Sequence, residues 1–196
     1  FPTRRSSDLF AAVGGGFTWG GAYVTWAYDG AKAAKLNGNG KTHQWGWVGG
    51  GDGLLAIDRN TDGKINSGAE LFGSGFVMDN GKRATNGFEA LASLDSNHDG
   101  KITALDAHFA DLKVWVDANS NGVSDAGELK DLSSLGIVEL DLNAHASTQL
   151  NNGNLLGLIS SYKTVDGKTH EMADVWFAKV PSTATTGNLT DHVTAG

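Results

Sequence analysis

Asp58-Arg59-Asn60-Thr61-Asp62-Gly63, Asp95-Ser96-Asn97-His98-Asp99-Gly100 and Asp117-Ala118-Asn119-Ser120-Asn121-Gly122 are three copies of one pattern, Asp-x-Asn-x-[Asp/Asn]-Gly. Side-chain oxygens at positions 1, 3 and 5 converge on one point when the chain turns sharply at a glycine in position 6, and a carbonyl at position 7 and a carboxylate at position 12 complete an oxygen shell for a hard cation. Asx and Gly also make ordinary turns. A shuffled chain of this composition, however, yields on the order of 0.06 such hexapeptides.

The pattern assigns ligands loop by loop. The first loop offers Asp58, Asn60, Asp62 and the carbonyl of Lys64; its position 12 is Ala69, so Glu70 closes it one residue late. The second offers Asp95, Asn97, Asp99, the carbonyl of Lys101 and Asp106, and the third Asp117, Asn119, Asn121, the carbonyl of Val123 and Glu128, with Asp125 at position 9 acting directly or through water. Ile65 and Ile102 stand at position 8, which pairs loops through a short bridge in EF-hands, whereas the third loop has Ser124. Calcium is the cation this flexible oxygen set suits; magnesium demands a compact octahedron and keeps its waters.

Outward from the loops, Asn86 followed by Glu89 is a helix-start spacing, and Phe88, Leu91 and Leu94 recur at helical intervals. Thr103 with Asp106 predicts a second helix carrying Leu105, Phe109 and Leu112, so the second loop reads as helix, loop, helix. Leu112 to Val116 predicts a strand. Leu129, Leu132 and Leu135 predict a helix that stops at Gly136, followed by a strand over Ile137 to Leu142. Asp166-Gly167 predicts a two-residue turn joining Leu155–Val165 to Lys168–Ala178. Nearer the start, Tyr23, Trp26 and Tyr28, the Asn37–Gly40 cluster and Gln44–Val48 read as short strands and turns. The resulting expectation is an α+β fold: short helices flanking EF-hand-like calcium loops, with short strands and a C-terminal β-hairpin.

Composition narrows the function classes. The net charge of -7 opposes a nucleic-acid partner, and the absence of cysteine removes disulfides, thiolate zinc sites and cysteine nucleophiles. The six histidines show no His-x-x-x-His spacing, no apolar run is long enough to span a membrane, and neither a nucleophile elbow nor a phosphate-binding loop occurs. No catalytic residue is assigned. Residues 1–9 read as translated sequencing adapter, 10–43 as an incomplete Gly- and aromatic-rich segment, 44–178 as the calcium module and 179–196 as a flexible tail.

Gly46-Trp47-Val48, Asp52-Gly53-Leu54-Leu55, Glu70-Leu71-Phe72-Gly73, Asn86-Gly87-Phe88-Glu89-Ala90-Leu91, Leu112-Lys113-Val114-Trp115 and Asp174-Val175-Trp176-Phe177 add a further layer. With the loops, these blocks resemble the EF-hand-like calcium modules of bacterial RTX proteins, in particular the self-processing modules of iron-regulated RTX proteins, over about residues 44 to 178. The resemblance implies type I secretion from a Gram-negative bacterium and calcium-triggered folding outside the cell. It also implies that some members cleave an Asp–Pro bond just upstream, the aspartate carboxylate attacking its own peptide carbonyl to give an anhydride that water or a lysine amine opens. This chain holds no Asp–Pro, since Pro2 follows Phe1 and Pro181 follows Val180, and it lacks Gly-Gly-x-Gly-x-Asp repeats. Three functions follow as expectations: a calcium-stabilised structural module, a calcium-dependent self-processing module, or a calcium-ordered adhesin surface that meets a host protein or glycan.

Overall fold

The computed structural model describes residues 9–12, 32–34, 43–45, 52–151 and 154–177. In chain order its elements are β1 (Leu9–Ala12), β2 (Lys32–Ala34), β3 (His43–Trp45), β4 (Gly53–Ile57), α1 (Gly87–Ala92), β5 (Lys101–Thr103), β6 (Leu112–Trp115), β7 (Leu129–Asp131), β8 (Ile137–Asp141), β9 (His145–Asn151), β10 (Asn154–Thr164) and β11 (Thr169–Trp176). Short 3-10 turns cover Phe109–Asp111 and Ser133–Leu135. One nine-stranded sheet runs β5-β8-β10-β11-β1-β4-β6-β7, with β9 also on β10; β2 and β3 form a separate pair. All pairings are antiparallel except those of β1, which is parallel to β4 and β11.

The α+β expectation with helices flanking the loops is thereby overturned. Among the described residues strand takes 39% and helix 10%, and no helix reaches seven residues. The reason lies in where the apolar residues find partners. Leu129 stands opposite Trp115 in the β6–β7 ladder, so the Leu129, Leu132, Leu135 series begins as strand and keeps only a 3-10 turn, which Gly136 ends at φ 68°. After the second loop, Asp106 turns its carboxylate back onto the N–H groups of Ser96 and Thr103, and Leu105 is left 78% exposed. A core-facing helix would need Leu105 inside.

The helix that does form, α1, is the one with matched ends. Asn86 Oδ1 accepts the Glu89 N–H at 2.8 Å, and Glu89 Oε2 reaches back to the Thr85 N–H at 2.7 Å. The strands expected over 112–116 and 137–142 are present as β6 and β8. The C-terminal hairpin is present too, with a different turn: Gly167 N–H bonds Thr164 O and Thr164 N–H bonds Lys168 O, a three-residue loop in which Gly167 alone has positive φ. The patterns expected around Tyr23–Tyr28 and Asn37–Gly40, and the tail from 179, lie outside the described residues, as does most of the strand expected over 44–48.

The sheet is buried on both faces. Leu54 and Ala56 of β4 join Trp115, Ala173 and Val175 in one cluster, while Leu55 and Ile57 join Phe72, Phe76, Leu91 and Met172 in the other. This is why β4 reads as an unbroken apolar run, Gly-Leu-Leu-Ala-Ile, rather than an alternating one. Phe72 and Phe76 stack at 4.9 Å, with the Arg59 guanidinium 4.0 Å over the Phe76 ring.

Asp174, in the middle of β11, is fully buried; its Oδ2 lies 3.4 Å from the Gly87 N–H and its Oδ1 has no partner. Burial, outweighing the Gly87 N–H and the Trp176 indole that work against it, lifts its carboxyl well above the usual range. A raised folded pKa means that the group's stabilising contribution is complete below the unfolded value of about 3.9 and is lost as pH climbs toward the folded value. Asp174→Asn removes that dependence. Its melting temperature is expected to exceed the parent's at pH 7–8, with the gap closing near pH 3–4; a variant that melts lower than the parent at pH 7 contradicts this.

Candidate metal centre

All three loops close on the same hydrogen-bond scheme. The position-5 N–H groups of Asp62, Asp99 and Asn121 bond the position-1 carboxylates of Asp58, Asp95 and Asp117 at 3.2, 3.3 and 3.0 Å. The same N–H groups reach the Oδ1 of Asn60, Asn97 and Asn119 at 3.0 Å each. The glycine N–H groups of Gly63, Gly100 and Gly122 take the other position-1 oxygen at 2.8, 3.0 and 2.7 Å. The N–H groups of Lys64, Lys101 and Val123 bond Oδ1 of Asp62, Asp99 and Asn121 at 2.9, 3.0 and 2.7 Å. These N–H groups draw the side-chain oxygens of positions 1, 3 and 5 into one turn.

That turn needs two left-handed residues in each copy. Position 4 is Thr61, His98 or Ser120 at φ 56°, 58° and 53°, and position 6 is glycine at 77°, 81° and 73°. A side chain at position 6 meets no neighbour at Gly63 or Gly100, so glycine is required there by backbone conformation and not by space.

The closing carboxylates Glu70, Asp106 and Glu128 are all buried, and each accepts the N–H of position 9: Asn66 at 3.0 Å, Thr103 at 2.8 Å and Asp125 at 3.0 Å. Glu70 thus occupies the role of the other two although it stands one residue later. Backbone pairing sets it there, since Ile57 N–H bonds Glu70 O at 2.8 Å and Ala56 bridges Leu71, just as Val116 N–H bonds Glu128 O at 3.0 Å beside the Trp115–Leu129 pair. The first loop is therefore strand–loop–bridge, the third strand–loop–strand and the second helix–loop–strand. Ile102, at position 8 of the second loop, pairs with Leu140 of β8, and Ile65 is buried in the opposite cluster.

Ligand atoms of Asp58, Asp62 and Glu70 lie within 4.8 Å of one another, the one such acidic group among the described residues. Asp95, Asp99 and Asp106 are not gathered as tightly, and the third loop sets amides, Asn119 and Asn121, where the first has Asn60 and Asp62. Glu70 Oε1 is buried without a hydrogen-bond partner. Burial raises the Glu70 carboxyl above its ordinary range; the N–H groups of Asn66 and Ser67 work against this, and the charges of Asp62 and Asp58 add to it. Asp62 is opposed by burial, yet hydrogen bonds from Asn66, Lys64 and Asn60 bring it below its ordinary value. Asp106 is likewise opposed by burial and lowered by Thr103, Ser96 and Asn97. Asp125 is lowered by the amides of Asn119 and Asn121, with Lys64 of the first loop adding to the effect.

Three contributors escaped the sequence reading. Asn66 Nδ2 donates to Asp62 Oδ2 at 2.7 Å, Ser96 supplies both N–H and hydroxyl to Asp106, and Trp115 Nε1 donates to Glu128 at 3.2 Å. Asn66 shares position 9 with Asp125, a signal that was there to find. Trp115 lies outside its loop and carries no local signal of the role.

The acidic group gathered in the first loop, Asp58, Asp62 and Glu70, offers oxygen alone. That suits a hard cation, and the bare buried Glu70 oxygen is a place where one fits. Comparison with known proteins places the chain among relatives. Residues 21–178 match the SPM domain family. The chain is 47% identical over 134 residues to the iron-regulated protein FrpA of Neisseria meningitidis serogroup C, a match that takes in 68% of this chain and 12% of that much longer protein. A family match across most of the chain makes this protein a member of the SPM domain family.

Proposed function

We propose that the chain is a calcium-binding module of a secreted RTX-type bacterial protein, folded and held by ions in its three loops. Kinship with the iron-regulated protein fits a module of an RTX-type protein. The observation that carries the calcium reading is Glu70 Oε1, buried, without a partner, and gathered with Asp58 and Asp62. A bare carboxylate oxygen in such a place is costly unless a cation meets it. In this reading Asp58, Asn60, Asp62, the Lys64 carbonyl and Glu70 hold the first ion. Asp95, Asn97, Asp99, the Lys101 carbonyl and Asp106 hold the second; Asp117, Asn119, Asn121, the Val123 carbonyl and Glu128 hold the third, with Asp125 beside it. Outside a cell, where calcium is abundant, the loops fill and the fold closes.

Each site held at 100-fold over its Kd adds about 2.7 kcal/mol. In a chain of this size each kcal/mol moves the melting midpoint by roughly 2–4 °C, so three filled sites raise it by roughly 15–30 °C. Thermal unfolding in chelator, in calcium and in magnesium tests this. An unchanged midpoint in millimolar calcium, or an equal rise with magnesium, sinks the reading.

Family membership favours a second reading, calcium-triggered cleavage and ligation at an Asp–Pro bond. This sequence holds no such bond, so the test uses a longer protein in which the module follows one. Calcium-dependent fragments on a gel support it, and an intact chain in calcium argues against it.

A further inference from the structure

Among the three closing carboxylates, Glu128 differs in what holds it. Glu70 accepts two main-chain N–H groups, from Asn66 and Ser67, on Oε2. Asp106 is held by its own loop, through Ser96 and Thr103. Glu128 Oε2 takes the Asp125 N–H at 3.0 Å and, in addition, the indole N–H of Trp115 at 3.2 Å, while Oε1 takes the Ala118 N–H at 3.0 Å. Trp115 is no loop residue. It ends β6, is 1% exposed, and belongs to the buried cluster that contains Leu54, Val175 and Ile65, the last from the first loop.

We infer that Trp115 is a positioning residue for the third calcium site, fixing Glu128 Oε2 so that Oε1 is the oxygen offered to the ion and linking occupancy of that site to the core. The inference rests on the calcium reading above and assigns a role that the ligand pattern does not contain. Its physical basis is threefold. A carboxylate has about four lone-pair positions, and Oε2 already meets two donors while Oε1 meets one, so Oε1 has the greater freedom to ligate. An indole N–H is a donor only, so it cannot replace the carboxylate as a ligand; it can only orient it. Finally, Trp115 is clamped by the β6–β7 pair opposite Leu129, so the donor's position is set by the sheet and not by the loop. Partners of this kind, one bond removed from the metal, set affinity by about 10–100-fold.

The second loop has no such link, because Ile102 sits in the opposite cluster.

The test is calcium calorimetry on the full chain and on Trp115→Phe, Glu128→Gln and the double variant. Glu128→Gln identifies the third-site step by abolishing it. Trp115→Phe is expected to weaken that step by about 10–100-fold and leave the other two unchanged, and to add nothing on top of Glu128→Gln. A third-site step of parental affinity in Trp115→Phe overturns the inference, as does an equal fall at all three sites, which marks a packing defect alone. Should Trp115→Phe not fold, the indole N–H resonance of Trp115 in the parent chain decides: it is expected to shift with the step that Glu128→Gln removes, and a shift with either other step, or none, overturns the inference. Failure of the parent to bind calcium at all sinks the calcium reading itself, which separates the two.

Discussion

Asp117→Ala is expected to lose one bound ion and roughly 2–4 kcal/mol of stability even in chelator. Asp117 is fully buried, and its two oxygens take the N–H groups of Asn121 at 3.0 Å and Gly122 at 2.7 Å. Alanine leaves both donors without their acceptor, and each such group costs about 1–3 kcal/mol where water does not replace it. Gly122 is partly covered and Asn121 is exposed, which keeps the expected total in the lower part of that range. In saturating calcium the gap to the parent widens, because the variant also forgoes the stabilisation of one filled site. Asp117→Asn separates the two contributions: it keeps an acceptor and sheds a charge, so in chelator it stays near the parent while in calcium it falls behind. Urea unfolding with and without calcium reads both. Equal stability of Asp117→Ala and the parent in chelator contradicts the structural half of the argument.

The second large effect is in the core. Phe72→Ala is expected to cost about 3–5 kcal/mol, the range for truncating a buried aromatic side chain. Phe72 is fully buried, stacks on Phe76, and follows Glu70 and Leu71 by two residues and one in the segment that closes the first loop. The cavity therefore opens directly beneath that loop, and the first calcium step should weaken while the other two hold. Phe72→Leu, which retains most of the volume, is expected to recover more than half of the loss. Denaturant midpoints measure the stability, and calorimetry measures the loop-specific effect. Uniform weakening of all three calcium steps would argue against the local connection.

The loops were legible because their chemistry is local. Every hydrogen bond that shapes the turn joins residues within five positions of each other, and the left-handed glycine is forced by the same short segment. Asn86 and Glu89 were legible for the same reason. Helices after the loops were not, because leucines three apart fit a helix face as well as they fit a strand followed by a 3-10 turn. The choice is made by Trp115, fourteen residues away in sequence, which gives Leu129 a ladder partner. Likewise β9, His-Ala-Ser-Thr-Gln-Leu-Asn, has no apolar alternation and no strand signature of its own.

Its existence follows from β10. That strand is eleven residues long, pairs with β8 through Tyr162–Thr164, and has free backbone from Asn154 to Ile159 on the same edge, which β9 fills. The Ser160 hydroxyl donates to Asp141 O at 2.8 Å across the break between β8 and β9. Nothing within residues 145–151 encodes that arrangement. The same holds for Glu70. Counting places it one residue late, and only the Ala56–Leu71 bridge brings its carboxylate to the position-9 N–H that the other two loops use.

The account stands or falls on whether calcium fills these loops and builds the fold, and calorimetric titration of the full chain with calcium, followed in parallel by circular dichroism, tests that directly. Three bound ions with a cooperative gain of β structure is the predicted result. Absence of heat and of structural change at millimolar calcium would mean that the three loops are turns and nothing more.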